Sequence, residues 1–207
     1  MAKPYIVGLT GGIASGKSTA AEQLKKLGAS LVDADRISHD LTGEGGEAIP
    51  AIRRQFGDGV MSGDHLDRRA LANLVFGDAN HRRALEAILH PMIQRHMLAE
   101  VDHAARAGAG IVILNVPLLF ETGTDALCDE VWLMALRPED QIARAMARDG
   151  VTREEAESRV GSQMSLEEKL ERADVVIRTN RSLEQTLQEL ESLYRNLLKR
   201  VAGMESV

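Results

Sequence analysis

Nine consecutive residues near the amino end have the types and spacing of a loop that holds a phosphate chain. The sequence Gly11-Gly12-Ile13-Ala14-Ser15-Gly16-Lys17-Ser18 fits the eight-residue pattern G-x-x-x-x-G-K-[ST], and Thr19 follows it. In that pattern, glycines let backbone N–H groups curl around an anion, and a following helix N-terminus adds partial positive charge. Lys17 can then reach the outer phosphates, and the Ser18 hydroxyl can bind Mg²⁺. We therefore expect a nucleoside triphosphate site with contacts from Gly12, Ile13, Ala14, Ser15, Gly16, Lys17, Ser18 and Thr19.

The residues on either side of this loop favour a strand before it and a helix after it. Residues 5–10 form an apolar run, and Ala20, Leu24 and Leu27 recur at helical spacing before Gly28. A chance match in a glycine-rich turn would lack this context, so triphosphate binding is the better interpretation. The reaction must be inferred from other residues.

A pair of carboxylates follows the second predicted strand. Asp33 and Asp35 are two positions apart, so their side chains point the same way if the strand continues through both. One carboxylate could take the proton from an acceptor hydroxyl while the other binds magnesium through water. The spacing alone fits a solvated turn after a strand equally well, because aspartate is common there.

Two arginines lie four positions apart on a helix predicted to begin near Pro138. Arg144 and Arg148 could close over a triphosphate as a lid. The charge pattern alone favours an ordinary solvated face instead. Capping boxes that begin at Thr152 and Ser165 predict that short helices follow, and short helices joined by turns can move as a flap.

A third segment follows a fully apolar strand predicted at residues 111–114. Residues 115–121 read Asn-Val-Pro-Leu-Leu-Phe-Glu, so an apolar wall ending in the Glu121 carboxylate leaves the sheet. Ligands of parallel sheets bind beyond the carboxyl ends of the strands, where this segment would lie. Without further information, a loop packed on the core is the simpler interpretation.

Composition narrows the classes of function. A chain of 207 residues with 44% hydrophobic content fits one α/β domain with room for an inserted lobe. Its net charge of -6 argues against a surface built to grip nucleic acid. The single Cys128 excludes an internal disulfide and suits a reducing compartment. No apolar run is long enough to span a bilayer, so we expect a cytoplasmic protein with neither a membrane nor a nucleic acid partner.

Strands that alternate with helices predict a three-layer α/β fold with a parallel sheet. The five predicted strands are residues 5–10, 29–33, 111–114, 130–136 and 173–177. Residues 49–106 look mostly helical, and we expect a junction or kink at His90-Pro91, because proline lacks a donor N–H. The last helix carries apolar residues from Leu183 to Val201. They could form a dimer seam, but packing against the sheet is favoured, and with it a monomer, although the sequence leaves the oligomeric state open.

Taken together, these segments resemble the dephospho-CoA kinase family. The matching stretches run in the family's order and are residues 9–19, 32–35, 66–68 with Leu71, 90–93, 116–121, Gln141 with 144–148, and Ala173-Asp174 through Asn180. The phosphate loop is shared by many nucleotide enzymes, whereas its combination with His90-Pro91 and Val-Pro-Leu-Leu-Phe-Glu is much more specific. Three positions depart from the family's pattern: Ala14 and Arg181 replace common glycines, and Asn115 replaces a common aspartate.

The resemblance implies a P-loop kinase fold and ATP-dependent phosphorylation of the ribose 3′-hydroxyl of dephospho-CoA, with Mg²⁺. It implies a nucleotide core of about residues 1–42, 108–136 and 173–207, a helical acceptor lobe of about 43–107 and a lid of about 137–172. Carried over by position, Asp35 is the catalytic base with Asp33 beside it. Lys17, Arg144, Arg148 and Asn180 contact ATP, and Ser18 holds the metal. His90, Leu118 and Glu121 line or support the acceptor site.

Three other functions are compatible with parts of this pattern. A kinase of another small alcohol, such as a nucleoside or sugar acid, would use the same loop and arginines. A GTPase switch would need a D-x-x-G after a strand and an N-K-x-D, but Asp40-Leu41-Thr42-Gly43 follows a helical stretch and no N-K-x-D occurs. A nucleotide-binding subunit without chemistry would not need an intact Lys17 and Ser18 beside a potential base.

Overall fold

The computed structural model describes residues 3–204 and contains alternating strands and helices. In chain order they are β1 (Tyr5–Gly11), α1 (Lys17–Lys26), β2 (Ser30–Asp33), α2 (Ala34–Leu41), α3 (Ile49–Phe56), β3 (Met61–Ser62), β4 (His65–Leu66), α4 (Arg68–Gly77), α5 (Ala79–Arg106), β5 (Ile111–Asn115), β6 (Glu130–Ala135), α6 (Pro138–Asp149), α7 (Arg153–Gly161), α8 (Leu166–Arg172), β7 (Val175–Arg178) and α9 (Leu183–Met204). Residues 58–60 and 124–127 form short 3₁₀ turns.

Five of the strands form one parallel sheet flanked by helices, in the order β2-β5-β1-β6-β7. β1 lies at the centre and pairs with β5 and β6, so that Val7 is level with Ile113 on one side and Glu130 on the other. β1 and β5 are almost entirely buried, as their continuous apolar sequences predict. The predicted three-layer α/β fold is confirmed, and the central strands deliver their carboxyl ends to one edge.

One face of this sheet packs against α1 and α9. The strands contribute Val7, Leu9, Ile113, Trp132 and Met134, and the helices contribute Leu24, Leu190, Tyr194, Leu197 and Val201. The apolar stripe of α9 therefore covers the sheet, which confirms the favoured interpretation of that stripe. Burying each such side chain stabilises the fold by roughly 1.5–3 kcal/mol.

Helices α7 and α8 begin where their sequences predict. Thr152 with Glu155 and Ser165 with Glu168 form complete capping boxes on α7 and α8. Each box pairs a side chain with a backbone N–H in both directions and so fixes where the helix begins. The short helices predicted after α6 are thereby confirmed.

Contacts divide the chain into two compact units. One contains the residues up to Val32 together with those from Val101 onward, and the other is Asp33–Glu100. The second unit contains α2, α3, α4, most of α5 and the hairpin of β3 and β4. Gly63, at the tip of that hairpin, has φ of 64°, a left-handed conformation that glycine adopts without steric cost.

Of the junction or kink predicted at His90-Pro91, the junction is wrong and the kink stays a prediction. α5 runs without a break for 28 residues from Ala79 to Arg106, with Pro91 inside it. Proline removes the hydrogen bond to the carbonyl four residues earlier, at Ala87. Both Ala87 and Pro91 are exposed, so water can satisfy that carbonyl and the helix continues. Among residues 3–204, no helix combines the length and apolar character needed to cross a membrane.

Candidate active site

The phosphate loop joins the end of β1 to the start of α1. Gly16 is the N-cap residue of α1 and has φ of 89°. Because glycine has no side chain to accept a hydrogen bond, the N–H groups of the first helical turn can bind an anion. Ala14 has φ of 55°, a left-handed conformation that costs a residue with a Cβ roughly 1–2 kcal/mol. The Ser15 N–H donates to the Gly12 carbonyl at 3.2 Å, which closes the turn. The loop therefore has a fixed, partly strained shape.

The Ser15 hydroxyl is an orphaned polar group inside this loop. Ser15 is only 1% exposed, and its Oγ has no hydrogen-bond partner among residues 3–204. A Cβ on Gly11 would approach that oxygen to 2.5 Å and the backbone carbonyl oxygen of Met134 to 2.8 Å, so only glycine fits before the turn. A buried hydroxyl without a partner is unfavourable, and the oxygen of a bound phosphate could satisfy it. The loop residues thus fit a phosphate chain.

Lys17 is held at the end of the neighbouring strand. Its Nζ donates to Oδ1 of Asn115 at 2.7 Å, and Asn115 is buried at the last position of β5. An amide oxygen orients the ammonium group without neutralising it. This hydrogen bond therefore places the Lys17 ammonium group at the carboxyl end of β5. Here the replacement of a common aspartate by Asn115 has a visible structural role that sequence reasoning did not find.

Gly12 lies against a buried side chain of α6. A Cβ on Gly12 would approach Oε1 of Gln141 to 2.3 Å. Gln141 is 5% exposed, and its Nε2 donates to the Leu136 carbonyl at 2.8 Å, so it cannot readily move away. The buried Gln141 side chain of α6 therefore requires glycine at position 12 of the phosphate loop.

The two predicted lid arginines have different partners. Arg144 donates to the Thr179 carbonyl at 2.6 Å and reaches the Ala14 carbonyl at 3.5 Å, so its guanidinium lies beside the phosphate loop. Arg148 instead donates two hydrogen bonds to the Asp149 carboxylate, from Nε to Oδ1 at 2.7 Å and from Nη2 to Oδ2 at 3.0 Å. That hydrogen bonding lowers the pKa of the Asp149 carboxyl and raises the pKa of Arg148.

The segment between α7 and α8 contacts both the phosphate loop and the loop after β5. Oε1 of Gln163 accepts a hydrogen bond from the Ile13 N–H at 3.2 Å. The next residue, Met164, donates its N–H to Oε1 of Glu121 at 3.0 Å. The same oxygen lies 3.0 Å from Nζ of Lys169, whose side chain is only 2% exposed. Lys169 does not make a well-aligned hydrogen bond there, so the attraction is between charges.

A small cavity opens beside the start of α1. Its volume is about 190 Å³. Its lining residues are Gly16, Ala20, Met134, Arg144, Thr179, Arg181, Leu183 and Thr186. Arg181, which also pairs with Glu189, and Arg144 line a neighbouring depression together with Asn180. The predicted residue Asn180 is exposed and lies next to this cavity.

The other residues predicted for metal and acceptor binding are mostly exposed. Ser18 and Thr19 are exposed in the first turn of α1, and Leu118 is 37% exposed after β5. His90 is exposed on α5. Within the described part of the chain, no three His, Cys, Asp or Glu side chains form a group that could hold a metal ion.

Asp33 and Asp35 do not share one strand. β2 ends at Asp33 and α2 begins at Ala34, so Asp35 lies in the first helical turn and the two-residue strand period does not reach it. Oδ1 of Asp33 accepts the Arg36 N–H at 3.0 Å and caps α2. Asp35 is exposed, and an acidic residue in a first turn is stabilised by the helix dipole.

Sequence reasoning gave no role to three side chains that shape the site. Gln141 and Gln163 contact the phosphate loop from segments more than 100 residues away, and Lys169 is buried on a short helix that looks solvated in sequence. The only sequence signal for Gln163 was its position between two helices that begin with capping boxes. That position predicts a turn but does not predict a contact with the phosphate loop.

Comparison with known proteins identifies the family. The profile of the dephospho-CoA kinase family matches residues 5–185. A dephospho-CoA kinase from Symbiobacterium thermophilum is 47% identical over 191 residues, which are 92% of this chain and 80% of that protein. A solved structure from Thermus thermophilus has a TM-score of 0.80 and 38% identity, over 95% of this chain and 99% of that chain. The structure of dephospho-CoA kinase from Campylobacter jejuni has a TM-score of 0.72 and 28% identity, over 94% of this chain and 97% of that chain. The chain therefore belongs to the dephospho-CoA kinase family.

Proposed function

We propose that this protein transfers the terminal phosphoryl group of ATP to the ribose 3′-hydroxyl of dephospho-CoA, giving coenzyme A and ADP. Family membership supports dephospho-CoA as the acceptor over another small alcohol. The observation that carries the proposal is the phosphate loop itself, in which Lys17 is oriented by a neutral amide at the end of β5. Phosphoryl transfer needs positioning and charge neutralisation above all, and this arrangement supplies both.

On the donor side, the proposal gives each residue a task that its contacts support. The loop residues from Gly12 to Thr19 surround the phosphates, and Lys17 brings positive charge to the outer ones. Arg144 adds positive charge beside the loop, and the adjoining cavity takes the base near Asn180. Arg148 would have to leave Asp149 to join them. Bound Mg²⁺, held by Ser18 and the phosphates, would neutralise charge on the transferred group.

On the acceptor side, Asp35 takes the proton of the ribose hydroxyl and Asp33 supports it. Asp35 is exposed in the first turn of α2, and a carboxylate within hydrogen-bond reach of a hydroxyl can act as its general base. His90, Leu118 and Glu121 line or support the acceptor site. In this proposal residues 43–107 form the acceptor lobe and residues 137–172 form the lid over a core of residues 1–42, 108–136 and 173–207.

A cytoplasmic location and a monomeric state belong to the same proposal. The single Cys128 suits a reducing compartment, which supports the cytoplasmic location. The apolar stripe of α9 packs against the sheet of its own chain, which supports the monomer.

The test is an acceptor panel with purified protein, ATP and Mg²⁺, in which ADP formation is coupled to a spectroscopic readout. We expect turnover with dephospho-CoA and little with nucleosides or sugar acids that lack its adenylate and pantetheine parts. Chromatography of the product should show coenzyme A. Turnover of another alcohol, with none of dephospho-CoA, would replace this proposal by the kinase of that alcohol.

A further inference from the structure

Gln163 contacts the phosphate loop although it lies 150 residues further along the chain. It occupies the turn between α7 and α8 and is half-buried. Its Oε1 accepts the Ile13 N–H at 3.2 Å. Ile13 lies in the middle of the loop predicted to surround the phosphates. The side chain of Gln163 is thus fixed at the place where the donor's outer phosphates are proposed to bind.

The other end of this side-chain amide has donors to spare. Because the backbone N–H of Ile13 can only donate, the group facing it must be the carbonyl oxygen of Gln163, which leaves Nε2 with two N–H donors. Nε2 makes no hydrogen bond to any residue in the range 3–204. The oxygen and the NH₂ group share one carbon, so fixing the oxygen also restricts the NH₂ group to the loop.

The backbone next to Gln163 is anchored independently. Met164 donates its N–H to Glu121, and Glu121 is drawn to the buried Lys169. These contacts hold the turn from the side of β5, while Ile13 holds it from the side of β1. A donor fixed in advance needs no reorganisation when charge develops, which is the condition for strong transition-state stabilisation.

We infer that Gln163 is a catalytic residue of the phosphoryl transfer: its Nε2 donates a hydrogen bond to an oxygen of the moving phosphoryl group. Ile13 orients the amide, and Glu121 is a positioning residue that acts through Met164. Gln163 neither gains nor loses a proton, and its role is to stabilise charge on the equatorial oxygens. This inference rests on the proposed function for the identity of the phosphate donor.

The test compares the wild type with Gln163→Met, which keeps the length of the side chain and removes both polar atoms. We expect kcat to fall about 100-fold, the effect of losing one fixed donor to a developing oxyanion. Binding of ADP, which lacks the transferred group, should stay within about twofold. The gain in affinity that aluminium fluoride gives to bound ADP should fall by a factor similar to that in kcat. Calorimetry measures both affinities.

Two further variants separate this role from a structural one. Gln163→Glu keeps an oxygen for the Ile13 N–H but replaces the NH₂ donor by a carboxylate oxygen, so its kcat should be at least as low as that of the methionine variant. Gln188→Met is the matched control, because Gln188 is exposed on α9 and bonds only to Glu184 at 3.3 Å. Its kcat and affinities should equal those of the wild type.

Several outcomes would overturn the inference. An unchanged kcat in Gln163→Met would do so, as would tighter ADP binding with unchanged kcat, which would mean that Gln163 merely plugs the empty loop. A loss of ADP affinity that is as large as the loss of kcat, together with a lower melting temperature, would indicate a structural role. Inactivity of the wild type with dephospho-CoA would refute the proposed function instead, and the fluoride measurement would then still decide the role of Gln163.

Discussion

Replacing Glu121 by glutamine should destabilise the protein more than removing its partner Lys169. The glutamine keeps an oxygen for the Met164 N–H but removes the negative charge that lies 3.0 Å from the Lys169 ammonium group. The Lys169 side chain is 2% exposed and would become an unpaired buried charge. Lys169→Met, in contrast, leaves a carboxylate that is 21% exposed and still accepts the Met164 N–H.

The magnitude follows from the burial of the two partners. Breaking a fully buried pair from one side costs about 3–5 kcal/mol. Partial exposure of Glu121 lets water reach the site, so we expect about 2–3 kcal/mol for Glu121→Gln and about 0–1 kcal/mol for Lys169→Met. For a chain of this size, each kcal/mol lowers Tm by about 2–4 °C. The expected loss for Glu121→Gln is therefore about 4–12 °C.

Thermal unfolding followed by circular dichroism measures these differences, with urea unfolding as a second measure. The double variant Glu121→Gln/Lys169→Met buries no charge at this site. Its Tm should therefore lie well above that of Glu121→Gln alone. Such a thermodynamic cycle isolates the interaction between the two side chains.

Two results would refute this reasoning. In the first, Lys169→Met lowers Tm more than Glu121→Gln does, which would mean that the aliphatic packing of Lys169 matters more than its charge. In the second, the losses of the two single variants simply add in the double variant, which would mean that the charges do not interact.

Three further predictions concern the site and the core. Asp35→Asn should keep ATP affinity and slow transfer by orders of magnitude, because it removes the proposed base, and steady-state kinetics with calorimetry would show both; wild-type turnover would remove Asp35 from the mechanism. Lys17→Ala should weaken both ATP binding and rate, and wild-type values in the same assays would contradict its role. Burial raises the pKa of the Cys128 thiol from 9.0 to about 12, so the folded protein should resist iodoacetamide at pH 8 while the urea-unfolded chain reacts. The thiol of the unfolded chain ionises at a lower pH than the folded one, so the contribution of Cys128 to the free energy of unfolding should fall as the pH rises from 9.0 to about 12. Cys128→Ser should lack this effect. Rapid labelling of the folded protein would contradict the burial of the thiol.

The features that sequence predicted are those set by local patterns. Buried parallel strands are continuous apolar runs, so the sheet could be predicted from residues 111–114 and 130–136. A phosphate loop is contiguous, and capping boxes such as Thr152 with Glu155 involve residues three apart. In each of these cases the interacting groups lie close together in the sequence.

The features that sequence did not predict depend on distant contacts or on solvent. Gln163 contacts Ile13 across 150 residues of sequence, and no local pattern encodes that contact. Lys169 looks like one more exposed charge on a short helix until Glu121 lies beside it. His90-Pro91 predicted a junction or kink, but the helix continues because exposure of the freed carbonyl at Ala87 lets water replace the lost bond.

The close approach of Gly12 to Gln141 has a consequence for how this protein can change over evolutionary time. A single methyl group at position 12 would overlap the amide of Gln141, which is itself held by the Leu136 carbonyl. Substitution of Gly12 by a larger residue is therefore disfavoured unless Gln141 is replaced by a smaller residue at the same time. We expect them to covary among descendants, so that a bulkier residue at 12 accompanies a shorter one at 141.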